Sequence, residues 1–173
     1  TNFAQPWTYA RETDKFATLR GEVDITDNVT AWAAGGVRSS YEDNVLSNPT
    51  IANAFGGTSN TRFSNTREDR VRTGEVGVRA KFATGPVSHT VVASAAAFDN
   101  DRDNAYAISS GSVRNNIYAP YDSFYPVANG AFTGNWLTGP RLTDTIKTSS
   151  VAVADTLGLL DERLLVTVGA RRQ

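Results

Sequence analysis

The stretch Val151–Gln173, VAVADTLGLLDERLLVTVGARRQ, holds two runs in which apolar and polar residues alternate, joined by a short turn near Asp161 and Glu162. In the second run Leu164, Val166, Val168 and Ala170 fall on one face, and Thr167, Gly169 and Arg171 on the other. Side chains of a strand point alternately to its two faces, so the pattern predicts a hairpin that is wet on one side and greasy on the other. Soluble antiparallel sheets and membrane barrels both produce that pattern.

The same alternation recurs upstream. In Lys15–Thr26, Ala17, Leu19, Gly21, Val23 and Ile25 oppose Thr18, Arg20, Glu22 and Asp24. Thr26-Asp27-Asn28 is turn chemistry, because Asp and Asn tolerate left-handed backbone and bond to their own neighbours. The return strand, Val29 to about Tyr41, keeps Val29, Ala31, Ala33, Gly35 and Val37 in phase and puts Trp32 and Arg38 opposite. Gly35-Gly36 is a place for a bulge that would shift this phase. In Glu68–Thr84, Val76, Val78, Ala80 and Phe82 face away from Glu75, Arg79 and Lys81. A tight turn at Thr84-Gly85-Pro86-Val87 leads into Ser88–Asn100, whose Ala-rich part is small and apolar on both faces. Thr1–Asp14 reads as loop or partial strand. Glu42–Thr66 and Asp101–Asp144, rich in Asn, Ser, Thr and Gly and without a period, read as two long loops.

The expected order is therefore short turn, long loop, short turn, long loop, short turn. Strands of roughly 11 to 17 residues on this reading exceed the 5 to 6 typical of soluble sheets. A tilted strand crosses a bilayer in about 9 to 11 residues. Outer-membrane barrels place short turns at one end and long loops at the other, a segregation that a soluble β-sandwich does not need. The fold class expected is all-β: a sector of an antiparallel up-and-down transmembrane β-barrel spanning 1–173. About six strands fall short of the eight of the smallest single-chain barrels, so the sector belongs to a larger wall. Gln173 directly follows a strand, without the aromatic residue common at the end of complete outer-membrane proteins.

Composition is compatible with this. No segment approaches the roughly 18 consecutive apolar residues of a membrane helix, and the mean hydropathy of -0.33 does not test a barrel, in which every second strand residue faces lipid. The net charge of -1, with acids and bases interspersed, offers no basic nucleic-acid patch. Cysteine is absent, and so are disulfides and thiolate sites. Methionine is absent even from position 1 and no signal peptide is visible, as expected of a processed or excised piece.

Four segments, in order, carry a resemblance: LRGEVDITDNVTAWAAGGVRSSYE, VRAKFATGPVSHTVVASAAAF, NNIYAPY and SSVAVADTLGLLDERLLVTVGARRQ. Together they span most of Leu19–Gln173, and they resemble the barrel region of TonB-dependent siderophore receptors. The resemblance implies a barrel of about 22 strands, plugged by an N-terminal domain, in the cell outer membrane of a Gram-negative bacterium. It also implies uptake of a ferric siderophore powered through a TonB complex that engages the plug. Plug and remaining strands are not in this sequence.

The sequence offers little catalytic chemistry. His89 is the only histidine, and Ser88 or Ser94 beside it invites an outer-membrane hydrolase reading. Its place just after a tight turn makes a histidine at the interfacial rim the plainer one. Arg20, Glu22, Asp24, Glu75, Arg79, Lys81 and Arg171 suit a polar lumen. The functional candidates are the aromatic residues of Asp101–Asp144, which bring rigid contact area with a polar tip. Tyr106, Tyr118, Tyr121, Tyr125 and Trp136 are expected to contact substrate, with Arg114 pairing an acidic chelate; loop self-packing or an aromatic girdle is the alternative. No cofactor and no protein metal ligand are expected, since the iron would arrive chelated as substrate. The competing functional class is a passive porin or adhesin-like barrel, which needs no plug. A soluble β-sandwich or lectin-like domain is a further alternative.

Overall fold

A computed structural model describes residues 4–132 and 136–173. The parts of the loop readings that fall on Thr1–Phe3 and on 133–135 lie outside the described residues. Among the described residues eight strands run in chain order: β1 Tyr9–Thr26, β2 Val29–Ile51, β3 Gly57–Thr84, β4 Val87–Ser109, β5 Val113–Asn116, β6 Ala128–Phe132, β7 Arg141–Leu159 and β8 Leu164–Arg172. They form one sheet in the order β1-β2-β3-β4-β7-β8, with β5 added to β3 and β6 to β4. The six long strands are the expected ones, each beside its neighbour in sequence.

Several boundaries differ from expectation, always toward more strand. β1 begins at Tyr9, inside the segment read as loop or partial strand. The first long loop, 42–66, is mostly ladder: β2 continues to Ile51 and β3 starts at Gly57, leaving 52–56 as the connection. The physical reason is that period two persists there in burial but not in hydropathy. Thr58, Asn60, Arg62, Ser64 and Thr66 are buried on alternate positions, and all are polar. The second irregular stretch likewise shrinks, with β4 reaching Ser109 and β7 starting at Arg141, and with β5 and β6 inside it.

The turns also refine the reading. Gly85 adopts φ +60 at the β3–β4 turn, a conformation that suits glycine. Asp27 and Asn28 need no left-handed backbone. Instead, Leu160, Asp161 and Glu162 take positive φ of 53, 55 and 63 between β7 and β8. In that hairpin Val153 lies opposite Ala170, Asp155 opposite Val168 and Leu157 opposite Val166, while Ala152 meets Arg171 and Thr156 meets Thr167. The predicted split of Val166, Val168 and Ala170 from Thr167 and Arg171 is therefore the observed one.

Two compact units are distinguished: 1–15, 39–70 and 101–145 in the first, and 16–38, 71–100 and 146–173 in the second. The second unit exposes its large apolar residues, including Phe16 at 76 % and Leu19 at 81 %, with Val23, Ile25, Val37, Val76 and Val168. The first unit buries polar side chains instead. Among the described residues no large side chain is fully buried, and the buried hydrophobic residues are Val45, Ala105, Ala107 and Val113. A soluble sandwich would hide its apolar faces between two sheets. Contiguous exposed apolar surface of this kind marks a membrane or partner contact. No helix among the described residues is long and apolar enough to cross a membrane.

Candidate functional site

In the first unit, β5 lies antiparallel on β3, with Arg114 opposite Ser59 and Asn116 opposite Gly57. The chain after β5 is tied down residue by residue. Asn116 Oδ1 accepts the backbone N–H of Tyr118 at 2.8 Å. Asn115 donates from Nδ2 to the Tyr121 carbonyl at 2.7 Å and accepts the Tyr121 N–H at 3.2 Å. The Tyr121 hydroxyl donates to the carbonyl of Arg114 at 2.6 Å. Gln5 adds a long-range clamp, accepting the Ser123 N–H and hydroxyl at 2.8 and 2.7 Å and donating to the Tyr121 carbonyl at 3.3 Å.

Further along, the Arg62 guanidinium donates to the Pro126 carbonyl at 3.0 Å and to Ser64 Oγ at 2.9 Å, and lies 4.1 Å from the Tyr125 ring centroid. Such a contact is worth about 2 kcal/mol when desolvated. Trp7 meets the same tyrosine edge-on at 5.6 Å. Nearby Tyr9 donates to Asp43 at 3.1 Å. Burial first, and then the Asp43 carboxylate, hold its phenol above the usual tyrosine range.

The six predicted contact residues thus divide. Arg114, Tyr118, Tyr121 and Tyr125 are gathered on one folded segment. Tyr121 and Tyr125 use their polar or ring faces to hold it, so self-packing accounts for part of their role. Tyr118, 73 % exposed, passes its ring over Gly56, where an added Cβ would lie 2.4 Å from it. Tyr106 stands apart on β4, in a tilted contact with Phe63 at 5.9 Å. Trp136, 71 % exposed, closes a small turn with Gly139 and is not gathered with the others. Gln5, Asn115 and Arg62 had no distinguishing signal in the sequence beyond the polar period that hid β3.

In the second unit, the predicted polar face is an internally bonded network. Trp32 Nε1 donates to Glu75 at 2.7 Å, Arg20 Nε to Glu22 at 3.1 Å, Thr30 to Asp24 at 2.7 Å and Arg171 to Ser150 at 2.9 Å. The Arg20 guanidinium lies 5.5 Å from the Trp32 ring. Trp32 is therefore on the face predicted for it.

His89 has Nδ1 at 2.7 Å from Asp155 and Nε2 at 2.7 Å from Thr84 Oγ1, and stacks on Phe82 at 4.7 Å. Neither ring nitrogen addresses a serine. Ser88 donates to Glu162 at 3.1 Å instead, so the Ser-His arrangement of a hydrolase is not assembled. Among the described residues no group of three or more His, Cys, Asp or Glu is placed to hold a metal.

A sheet of consecutive antiparallel neighbours, with one greasy exposed face and one polar bonded face, defines a class: a partial wall of an up-and-down β-barrel. No protein-family model matches the chain. The ferrichrome receptor FcuA of Yersinia enterocolitica is 28% identical over 172 residues, 99% of this chain and 22% of the receptor. The structure of BauA, the ferric preacinetobactin receptor of Acinetobacter baumannii, matches with a TM-score of 0.84 and 28% identity over 97% of this chain and 25% of that one. Fiu, the ferric-catecholate import receptor of E. coli K12, matches in its open form with a TM-score of 0.73 and 20% identity over 99% of this chain and 26% of its own; this likeness concerns fold alone.

These relatives are TonB-dependent siderophore receptors, and the chain is similar to a partial region of them. It spans about a quarter of the length of these relatives. All three are receptors rather than enzymes, and they lend nothing to the porin or adhesin alternative.

Proposed function

We propose that the protein containing this chain is an outer-membrane receptor that takes up a ferric siderophore, and that the chain supplies part of its wall and one substrate-contact segment. The wall is not an enzyme on this reading. Its partners are the ferric siderophore, outer-membrane lipid, a plug domain elsewhere in the full-length protein and, through that plug, the TonB complex. The iron is cargo held by its own chelator, so no resident cofactor is involved.

The observation that carries the reading is the pairing of an outward apolar face in the second unit with an ordered aromatic segment in the first. Loops carry function when a rigid scaffold positions them. Here Asn116 holds the backbone of Tyr118, the Tyr121 hydroxyl holds the carbonyl of Arg114, and Arg62 lies over the ring of Tyr125. Arg114 supplies charge for an acidic chelate, and the exposed rings of Tyr118 and Trp136 supply flat contact area. Tyr106 is the least favoured of the six, being engaged with Phe63.

The test is uptake of radiolabelled iron by iron-starved cells producing the full-length protein, offered as ferrichrome and as a ferric catecholate. Wild type should import at least one of them. Tyr118→Ala with Trp136→Ala should raise the half-saturating concentration by about tenfold if each ring contributes roughly 0.7 kcal/mol. Uptake unchanged by deletion of the whole gene would refute the receptor reading. Uptake lost on deletion but untouched by the double variant would refute only the site.

A further inference from the structure

The connection between β2 and β3 and the chain after β5 are built into one another. Asn53 Oδ1 accepts the backbone N–H of Phe55 at 3.0 Å and that of Gly57 at 3.1 Å. The Ala52 N–H donates to the Gly57 carbonyl at 2.7 Å and closes the connection, in which Gly56 holds φ +80. From the other side Asn116 donates from Nδ2 to the Phe55 carbonyl at 3.0 Å, while its Oδ1 takes the Tyr118 N–H. The Ile117 N–H donates to the Gly56 carbonyl at 2.9 Å.

This bonding fixes the backbone around two aromatic rings and leaves both rings outside. Phe55 is 85 % exposed, the most exposed large hydrophobic residue among those described, and the ring of Tyr118 lies over Gly56, the next residue. Phe55 falls in a stretch whose sequence reads as polar loop, and no pattern there singles it out.

A single exposed hydrophobic residue needs no explanation. Two rings brought to neighbouring positions on a bonded frame form a contact patch, and side chains whose backbone is already ordered lose less freedom on binding. A ring attracts another ring, edge-on or offset, beyond what buried area alone contributes. An aryl arm of a chelate gains that increment and an alkyl hydroxamate arm does not. Arg114, exposed two positions before Asn116 on β5, adds a cation for the negative charge that three catecholates leave on ferric iron.

We propose that Phe55 and Tyr118 form an aryl-selective contact, so that the receptor prefers an iron chelate with catecholate arms to one with alkyl hydroxamate arms. The inference rests on the receptor reading above and adds Phe55 to its contact residues.

Equilibrium binding of radiolabelled ferric chelates to the full-length protein in detergent reads the outcome. The probes are a synthetic tris-catecholate with 2,3-dihydroxybenzoyl arms and ferrichrome, whose arms are hydroxamates. Wild type should bind the tris-catecholate more tightly. Phe55→Leu keeps an apolar side chain and the charge; it should weaken the tris-catecholate by about fivefold, the increment of one ring pair, and ferrichrome by less than about twofold. Gly56→Ala should weaken the tris-catecholate to a similar degree by displacing the Tyr118 ring. An unshifted melting temperature of the folded electrophoretic band identifies intact variants. Tighter binding of ferrichrome by wild type, an unaffected intact variant, or equal losses for the two chelates overturns the proposal and leaves the receptor reading standing. Binding of neither chelate overturns the receptor reading, and this proposal with it.

Discussion

Trp32 shows how tightly one residue can depend on the absence of another. Its indole bonds Glu75, lies near the Arg20 guanidinium and occupies the space over Gly77, where a Cβ would fall 2.1 Å from the ring. Gly77→Ala should therefore push the ring off Glu75 and cost about 1–3 kcal/mol, as overpacking does. Tryptophan emission of the full-length protein in detergent should shift to the red, with a lower temperature for loss of the folded electrophoretic band. An unchanged spectrum and temperature would mean that the ring has another place to go. The loop between β7 and β8 carries a different local strain. Leu160 holds φ 53, a region that disfavours an L side chain by about 1–2 kcal/mol. Leu160→Gly should raise that same transition temperature.

At the scale of elements, β3 explains what could and could not be read beforehand. In Val76, Val78 and Phe82 the strand writes its period in hydropathy, and the period was legible. From Thr58 to Thr66 both faces are polar except for Phe63, so the alternation exists only as burial beneath folded chain. Propensity and hydropathy carry no trace of that, and Asn, Ser and Thr look like loop residues. The contact segment was legible as an aromatic-rich stretch, but its division was not: part of what holds Tyr121 and Tyr125 comes from Gln5 and Arg62, which are distant in sequence. Arg62 is the test of this packing. Arg62→Ala removes the Pro126 and Tyr125 contacts together, and amide hydrogen exchange across 117–127 should quicken by tenfold or more, given about 1.5–3 kcal/mol for bonds to a charged donor. Exchange in β8 should not change.

For the whole molecule, the outward apolar residues and the near absence of buried ones give one expectation. The 173-residue chain alone, transferred into water without detergent, should aggregate rather than yield a monomer with strand circular dichroism, because its exposed valines, leucines and phenylalanines have no inner layer to join. A soluble, monodisperse chain in analytical ultracentrifugation would restore the sandwich reading. That same shortage of hidden apolar surface, confined among the described residues to Val45, Ala105, Ala107 and Val113, also reaches into calorimetry. The heat capacity of unfolding grows with apolar area newly wetted and falls with polar area. A wall that hides mainly amides and hydroxyls should therefore have a flat stability curve, holding its shape over a wide span of temperature with little tendency to come apart in the cold.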